Sequence, residues 1–87
     1  MKSFAPAEFW RHYEALPGEV QRLADRNFER FEHDPFHPSL HFKEVLPGIW
    51  SARVGIHHRA LCKRRDDGWM WFWIGSHADY DKLLKRR

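Results

Sequence analysis

The spacing of apolar and polar positions divides the chain into helical and extended stretches. Over residues 6–16, Phe9, Tyr13 and Leu16 share one helical face, Pro6 suits a first turn, and Pro17 stops the run. A longer helix is expected from Pro17-Gly18 onward. There Val20, Leu23, Ala24, Phe28 and Phe31 recur at helical spacing, an apolar stripe suited to covering a sheet. Asp34-Pro35 and His37-Pro38 close it. Arg22, Arg26 and Arg30 form a row on this helix, with Asp25 and Glu29 at pairing distance, the pattern of a solvated face. The two helices are expected to form an antiparallel hairpin.

Beyond residue 40 the period falls to two. Residues 40–46 put Leu40 and Phe42 on one face and His41, Lys43 and Val45 on the other, before a Pro47-Gly48 turn. Residues 50–56 alternate more cleanly: Trp50, Ala52, Val54 and Ile56 point one way, Ser51 and Arg53 the other. A turn near Gly55 leads into residues 59–64, where Arg59, Leu61 and Lys63 share a face, and Asp66-Asp67-Gly68 makes the next hairpin. Residues 69–74 are bulky, apolar and uncharged, too short a run to span a bilayer, and predict a strand buried on both faces. Gly75 then frees the backbone, and Ser76 can cap a short helix on which His77 and Tyr80 share a face. The order ααββββα predicts one α+β domain over residues 1–87. Its N-terminal helical hairpin packs on a small twisted antiparallel meander, and a short C-terminal helix follows.

Charge sharpens this picture through its distribution. Residues 1–40 carry five Lys/Arg and seven Asp/Glu, residues 41–65 carry six and one, and residues 66–87 carry four of each. The positive excess sits on the expected strands, which suits a polyanionic partner such as RNA, DNA or an acidic protein segment; lysines and arginines guarding an edge strand would give the same count. Cys62 is the single cysteine, so no internal disulfide framework is possible, and MKSFAPAEFW lacks the apolar core of a secretory signal. A cytoplasmic location is expected.

Several constellations carry no chemistry. His33, His37 and His41 are four apart, but Pro35 and Pro38 break any helix that would align them on a metal. Cys62 lies mid-strand without a flanking base and is expected to be a small buried hydrophobe. No phosphate-binding glycine loop and no nucleophile elbow occurs. What remains is Lys43, Arg53, Arg59, His77 and Tyr80, from separate segments that a meander would bring side by side. These are the side chains that RNA cleavage without a metal requires. A base takes the proton from a ribose 2′-OH, which attacks the adjacent phosphorus; cations hold the charge of the pentacoordinate state; an acid protonates the leaving 5′-oxygen. Histidine titrates nearest neutrality, arginine offers phosphate a planar fork, and tyrosine can stack on a base.

Three motifs carry a resemblance: Pro38-Ser39-Leu40 leading into Lys43, Arg53-Val54-Gly55 followed by Arg59-Ala60-Leu61, and Trp73-Ile74-Gly75-Ser76-His77 with Tyr80. Together, across residues 20–84, the chain resembles the RelE/ParE superfamily of toxins from bacterial type II toxin–antitoxin systems. The resemblance implies a helical hairpin on a twisted antiparallel sheet and a cognate antitoxin as partner, without a cofactor. It departs at the N-terminus, where many members open with a strand and this chain has five residues before Pro6. RelE-like members cut mRNA in the ribosomal A site, and ParE-like members poison DNA gyrase without that catalytic set. Arg59 matches the family's strand arginine, and His77 and Tyr80 fall where C-terminal catalytic groups lie. The resemblance therefore implies an mRNA interferase that inhibits translation. In it Arg53 and Arg59 hold the scissile phosphate, His77 serves as acid or base, Tyr80 positions the nucleotide, and Lys43, Lys63 and Arg64 bind RNA. A gyrase poison, or a degenerate member that only binds its antitoxin, are the alternatives.

Overall fold

In the computed structural model, which describes residues 2–85, the chain runs β1 (Lys2–Phe4), α1 (Ala7–Glu14), α2 (Gly18–His33), a 3-10 turn (Pro38–Leu40), β2 (Lys43–Leu46), β3 (Ile49–Val54), β4 (His58–Arg65), β5 (Gly68–Ser76) and α3 (His77–Lys85). The helices and the four-stranded meander lie where the periodicity puts them. Two cross-links hold the helical pair: the Tyr13 hydroxyl donates to Asp25 Oδ1 at 2.8 Å, and the Gln21 amide donates to the carbonyls of Tyr13 and Leu16. Among the described residues, no helix is long and apolar enough to cross a membrane.

The sheet is mixed, not a pure antiparallel meander. Its order is β1-β5-β4-β3-β2, and β1 pairs in parallel with β5 through Lys2↔Gly68, Ser3↔Trp69 and Phe4↔Met70. Three residues show no periodicity of their own, and their partner strand lies near the other end of the chain. A side chain at Gly68 would run into the Lys2 carbonyl, so the missing Cβ is what lets β1 approach. Because the obstacle is backbone, Gly68→Ala must push β1 aside. Urea unfolding should show a loss of about 1–3 kcal/mol, with faster amide exchange confined first to residues 2–4.

The core lies between the helices and one face of the sheet. It contains Phe31, Leu40, Phe42, Ala52, Val54, Ala60, Cys62, Trp69, Trp71 and Ile74. Phe31 anchors α2 there, edge-on to Phe42 and Trp71 with ring centroids 5.0 and 5.1 Å away. Cys62 is fully buried, and burial pushes its thiol well above the ordinary range, so it behaves as an apolar side chain.

Three expectations about the strands change. β3 stops at Val54, because Gly55 turns the chain with φ 65°, and Ile56 is left 69% exposed instead of extending the apolar face. Leu40 reaches the core from the 3-10 turn, and β2 starts only at Lys43. Residues 69–74 are not buried on both faces: Trp69, Trp71 and Ile74 enter the core, whereas Met70, Phe72 and Trp73 are half-buried. A bulge accounts for the broken alternation, since Leu61 pairs with Trp73 and Cys62 with Trp71, leaving Phe72 as the extra residue.

Candidate nucleic-acid interface

Strand register decides which cations meet. Ala52 and Val54 enter the core, so Ser51 and Arg53 face the other side of the sheet. Arg53 stands directly opposite Arg59, Lys43 opposite Ser51, and Ile49 opposite Lys63. Lys43, Arg53, Arg59 and Lys63 therefore share the face turned away from α1 and α2. Like charges directly opposed on neighbouring strands work against the fold. The register offers no acid to relieve them, because the β5 residue opposite Arg59 is Gly75. Arg53 Nε is buried without a hydrogen-bond partner. The Arg59 guanidinium donates to the His58 carbonyl at 2.8 Å. Burial first, then the charge of Arg53, lowers the Arg59 pKa, while Tyr80 and Asp81 act the opposite way.

The start of α3 is fixed next to this pair. Ser76 caps the helix as expected, its Oγ accepting from the Asp79 amide at 3.1 Å, and the His77 amide donates to the His57 carbonyl at 2.7 Å. His77 and Tyr80 do share a face, with ring centroids 5.7 Å apart. Their exposures differ sharply. The His77 side chain is 44% exposed, and its Nδ1 lies 3.2 Å from Asp81 Oδ2. Tyr80 is only 7% exposed, and the Arg59 Cζ lies 6.0 Å from its ring centroid. Asp81 is the member that sequence reasoning missed, although its i, i+4 spacing from His77 is plain in the sequence.

The sequence-family comparison bears on this arrangement directly. The family described as ParE-like toxin domain matches residues 19–82, the span from the start of α2 into α3. The chain belongs to that family. No curated protein sequence matches it significantly, but solved structures share its fold. It is similar to a YoeB/ParE toxin from Agrobacterium tumefaciens, at 16% identity and TM-score 0.70 over 88% of this chain and 99% of that one. It is similar to a chain of the RelB-RelE antitoxin-toxin complex from Methanococcus jannaschii, at 12% identity and TM-score 0.73 over 92% and 96%. A chain of the archaeal RelE-RelB complex from Pyrococcus horikoshii OT3 follows, at 16% identity and TM-score 0.63 over 86% and 92%. The α+β fold is thereby shared with RelE and YoeB/ParE toxins of known structure, and the chain itself is a ParE-like toxin domain.

Two expectations about the toxin's face need correction. Arg64 does not join the basic set: it pairs with Trp69 on the core side of the sheet, and its Cζ lies 5.0 Å from that indole. Neighbours in a strand face opposite ways, so Lys63 and Arg64 cannot serve one surface. Lys63 stays on the open face, its Nζ 5.5 Å from the Phe72 ring centroid. Tyr80, expected to present a ring to a nucleotide, is buried beneath Arg59 and His77 and is suited to positioning Arg59. His33, His37 and His41 remain dispersed: His33 Nδ1 bonds to the Glu29 carbonyl, and His37 Nδ1 accepts from the Ser39 amide. Among the described residues, no group of three His, Cys, Asp or Glu side chains could hold a metal ion.

Proposed function

We propose that this toxin is a ribosome-dependent endoribonuclease, which cleaves mRNA in the A site without a metal and so stops translation in the cytoplasm. The opposed pair Arg53 and Arg59 carries this reading. Two cations held together without a balancing acid on their strands make a site whose missing partner is an anion, and a phosphodiester supplies one with the right geometry. The pair can hold the charge that builds up on the phosphorane. Lys43 and Lys63 extend the same face along the RNA backbone.

His77 supplies the proton transfer. With its hydrogen on Nδ1 it donates to Asp81, which orients the ring. Nε2 then exchanges the proton with the 2′-OH or the leaving 5′-oxygen. Tyr80 acts under Arg59, holding the guanidinium in place. A cognate antitoxin is the natural partner, because an open basic face accepts any RNA. One solved structure of this fold is described as a RelB-RelE antitoxin-toxin complex and another as a RelE-RelB complex, which supports this partnership. An acidic or helical antitoxin segment lying over Arg53 and Arg59 would neutralise the toxin.

The test is single-turnover cleavage of mRNA on programmed ribosomes. His77→Ala should fold, by circular dichroism, and cut the rate by about 10²–10⁴-fold. Asp81→Asn should lose less, because the imidazole keeps its place. Folded His77→Ala cleaving at the parent rate would make His77 structural. Double-strand DNA breaks without mRNA cleavage in induced cells would assign the protein to gyrase instead, and neither lesion would leave a member that only binds its antitoxin.

A further inference from the structure

Gly75 lies buried near the end of β5, directly opposite Arg59. A glycine inside a strand weakens it, so its presence needs a reason. Backbone conformation does not supply one, because the glycines with positive φ are Gly48 and Gly55. Space does. An ideal Cβ on Gly75 would lie 2.6 Å from Trp73 Cζ2, 2.9 Å from Cη2 and 3.4 Å from Cε2. The indole two places earlier on the strand occupies the volume of the absent side chain. Aromatic cover of this kind offsets the packing that a strand glycine gives up.

That volume belongs to the arginines' face of the sheet. Ala60 and Ile74, the next pair along, both enter the core, so Arg59 and position 75 face away from it. Directly paired residues on antiparallel strands hold their Cβ atoms about 4.5–5.5 Å apart. The row across β3, β4 and β5 therefore reads Arg53, Arg59, indole. Repulsion from Arg53 drives Arg59 away from β3 and towards β5. A bare glycine there would leave the Arg59 stem open space to lean into. The indole closes that space. It is braced in turn by His12 of α1, the ring centroids 6.2 Å apart and the planes inclined at 55°.

We infer that Trp73 and Gly75 are a positioning pair, in which the indole seated in the glycine's place is a backstop that keeps Arg59 beside Arg53. The inference rests on the RNA-cleaving reading above and adds to it the residues that hold its two cations together. The bond to the His58 carbonyl and the contact with Tyr80 act on the head of the Arg59 side chain. The indole acts on its stem, from the strand that carries no charge of its own there. Like charges on a long, flexible side chain separate wherever room allows, so two guanidinium groups meet one phosphate only if that room is filled. Misplacing a catalytic group by about 1 Å can cost 10²-fold in rate, so a side chain that never touches RNA can still set the rate.

The test reads Arg59 itself. In the free, isotope-labelled toxin the heteronuclear NOE of the Arg59 side-chain Nε–H reports how tightly the guanidinium is held. The parent should show a restrained Arg59. Trp73→Phe, whose ring is too short to fill the place beside Gly75, should release it. Gly75→Ala should do the same by pushing the indole out, and Trp73→Phe combined with Gly75→Ala should restore the restraint, since the methyl then refills the space. Single-turnover mRNA cleavage should fall about 10- to 100-fold in each single variant and return to within about 3-fold of the parent in the double. The single variants open the space by different routes, so either one with the dispersed spectrum of a folded chain decides. A tryptophan with only a structural role would lower the urea midpoint and leave Arg59 restrained. An unchanged Arg59 signal in a folded single variant, or a double variant no better than the singles, overturns the inference. The two readings fail separately. The NMR pattern in a protein that leaves mRNA intact removes the nuclease and keeps the positioning pair, whereas mRNA cleavage with Arg59 indifferent to both substitutions removes the pair alone.

Discussion

Arg59→Ala should lower mRNA cleavage by about 10²–10³-fold, the usual cost of removing one group aimed at developing charge, while thermal stability changes by less than about 1 kcal/mol. The two effects part because Arg59 occupies a position that folding alone would not choose. It faces Arg53 directly across β3 and β4, a like-charge pair that opposes sheet formation. Its removal ends that repulsion and gives up the bond to the His58 carbonyl and the contact with Tyr80, so the stability terms largely cancel. Nothing cancels in the transition state, where the phosphorane loses one of its two closest cations. On the proposed reading the arginines act on one phosphate, so Arg53→Ala combined with Arg59→Ala should cost less than the sum of the two. Cleavage assays paired with urea unfolding of all three variants check this. A loss of activity that tracked a loss of stability would make the pair structural.

Trp69→Ala should have the largest effect on stability, about 3–5 kcal/mol, a large share of what a domain of this size possesses. Trp69 is 2% exposed, with ring centroids 5.0 Å from Phe42, 5.4 Å from Trp50 and 6.4 Å from Phe31. It joins α2, the loop before β2, and the sheet in one aromatic cluster, so the cavity left behind cannot close without moving several large rings. Arg64 lies over the same indole and would lose its support. Chemical unfolding should give a much lower midpoint, and the near-ultraviolet dichroism of the cluster should weaken in the folded baseline.

Most of the fold is legible because its period is strong. The stripe from Val20 to Phe31, the alternation of Trp50, Ala52 and Val54, and the two turns at Pro47-Gly48 and Asp66-Asp67-Gly68 are enough to place α2 and the meander in register. That register puts Arg53 against Arg59, so the pairing of these two cations on one face was readable in advance. The features that were not readable share one cause, which is that they depend on partners distant in sequence or on a break in the alternation. β1 has three residues and a partner across almost the whole chain. The bulge at Phe72 is hidden in an unbroken apolar run, where every register looks alike. The burial of Tyr80 depends on where α3 lies against β4, which its helical spacing does not state. Arg64 is different: its opposition to Lys63 follows from strand alternation alone.

The parallel pairing of β1 also sets an order of events. Lys2 finds Gly68 only after β5 exists, and β5 is the last strand to be synthesised and the one that carries Trp69 and Trp71. A nascent chain ending at β4 holds two helices with their apolar stripes uncovered, Phe4 without its neighbouring strand, and the arginines of β3 and β4 already paired in sequence but not yet opposite a completed sheet. Closing a loop this long is an entropic cost met late, with no local contact to prepare it. The cations of β2, β3 and β4 are thus made before the strand that supplies Trp69 and Trp71 to the core beneath them. During that interval, the nascent chain's uncovered apolar surface is open to any partner made alongside it.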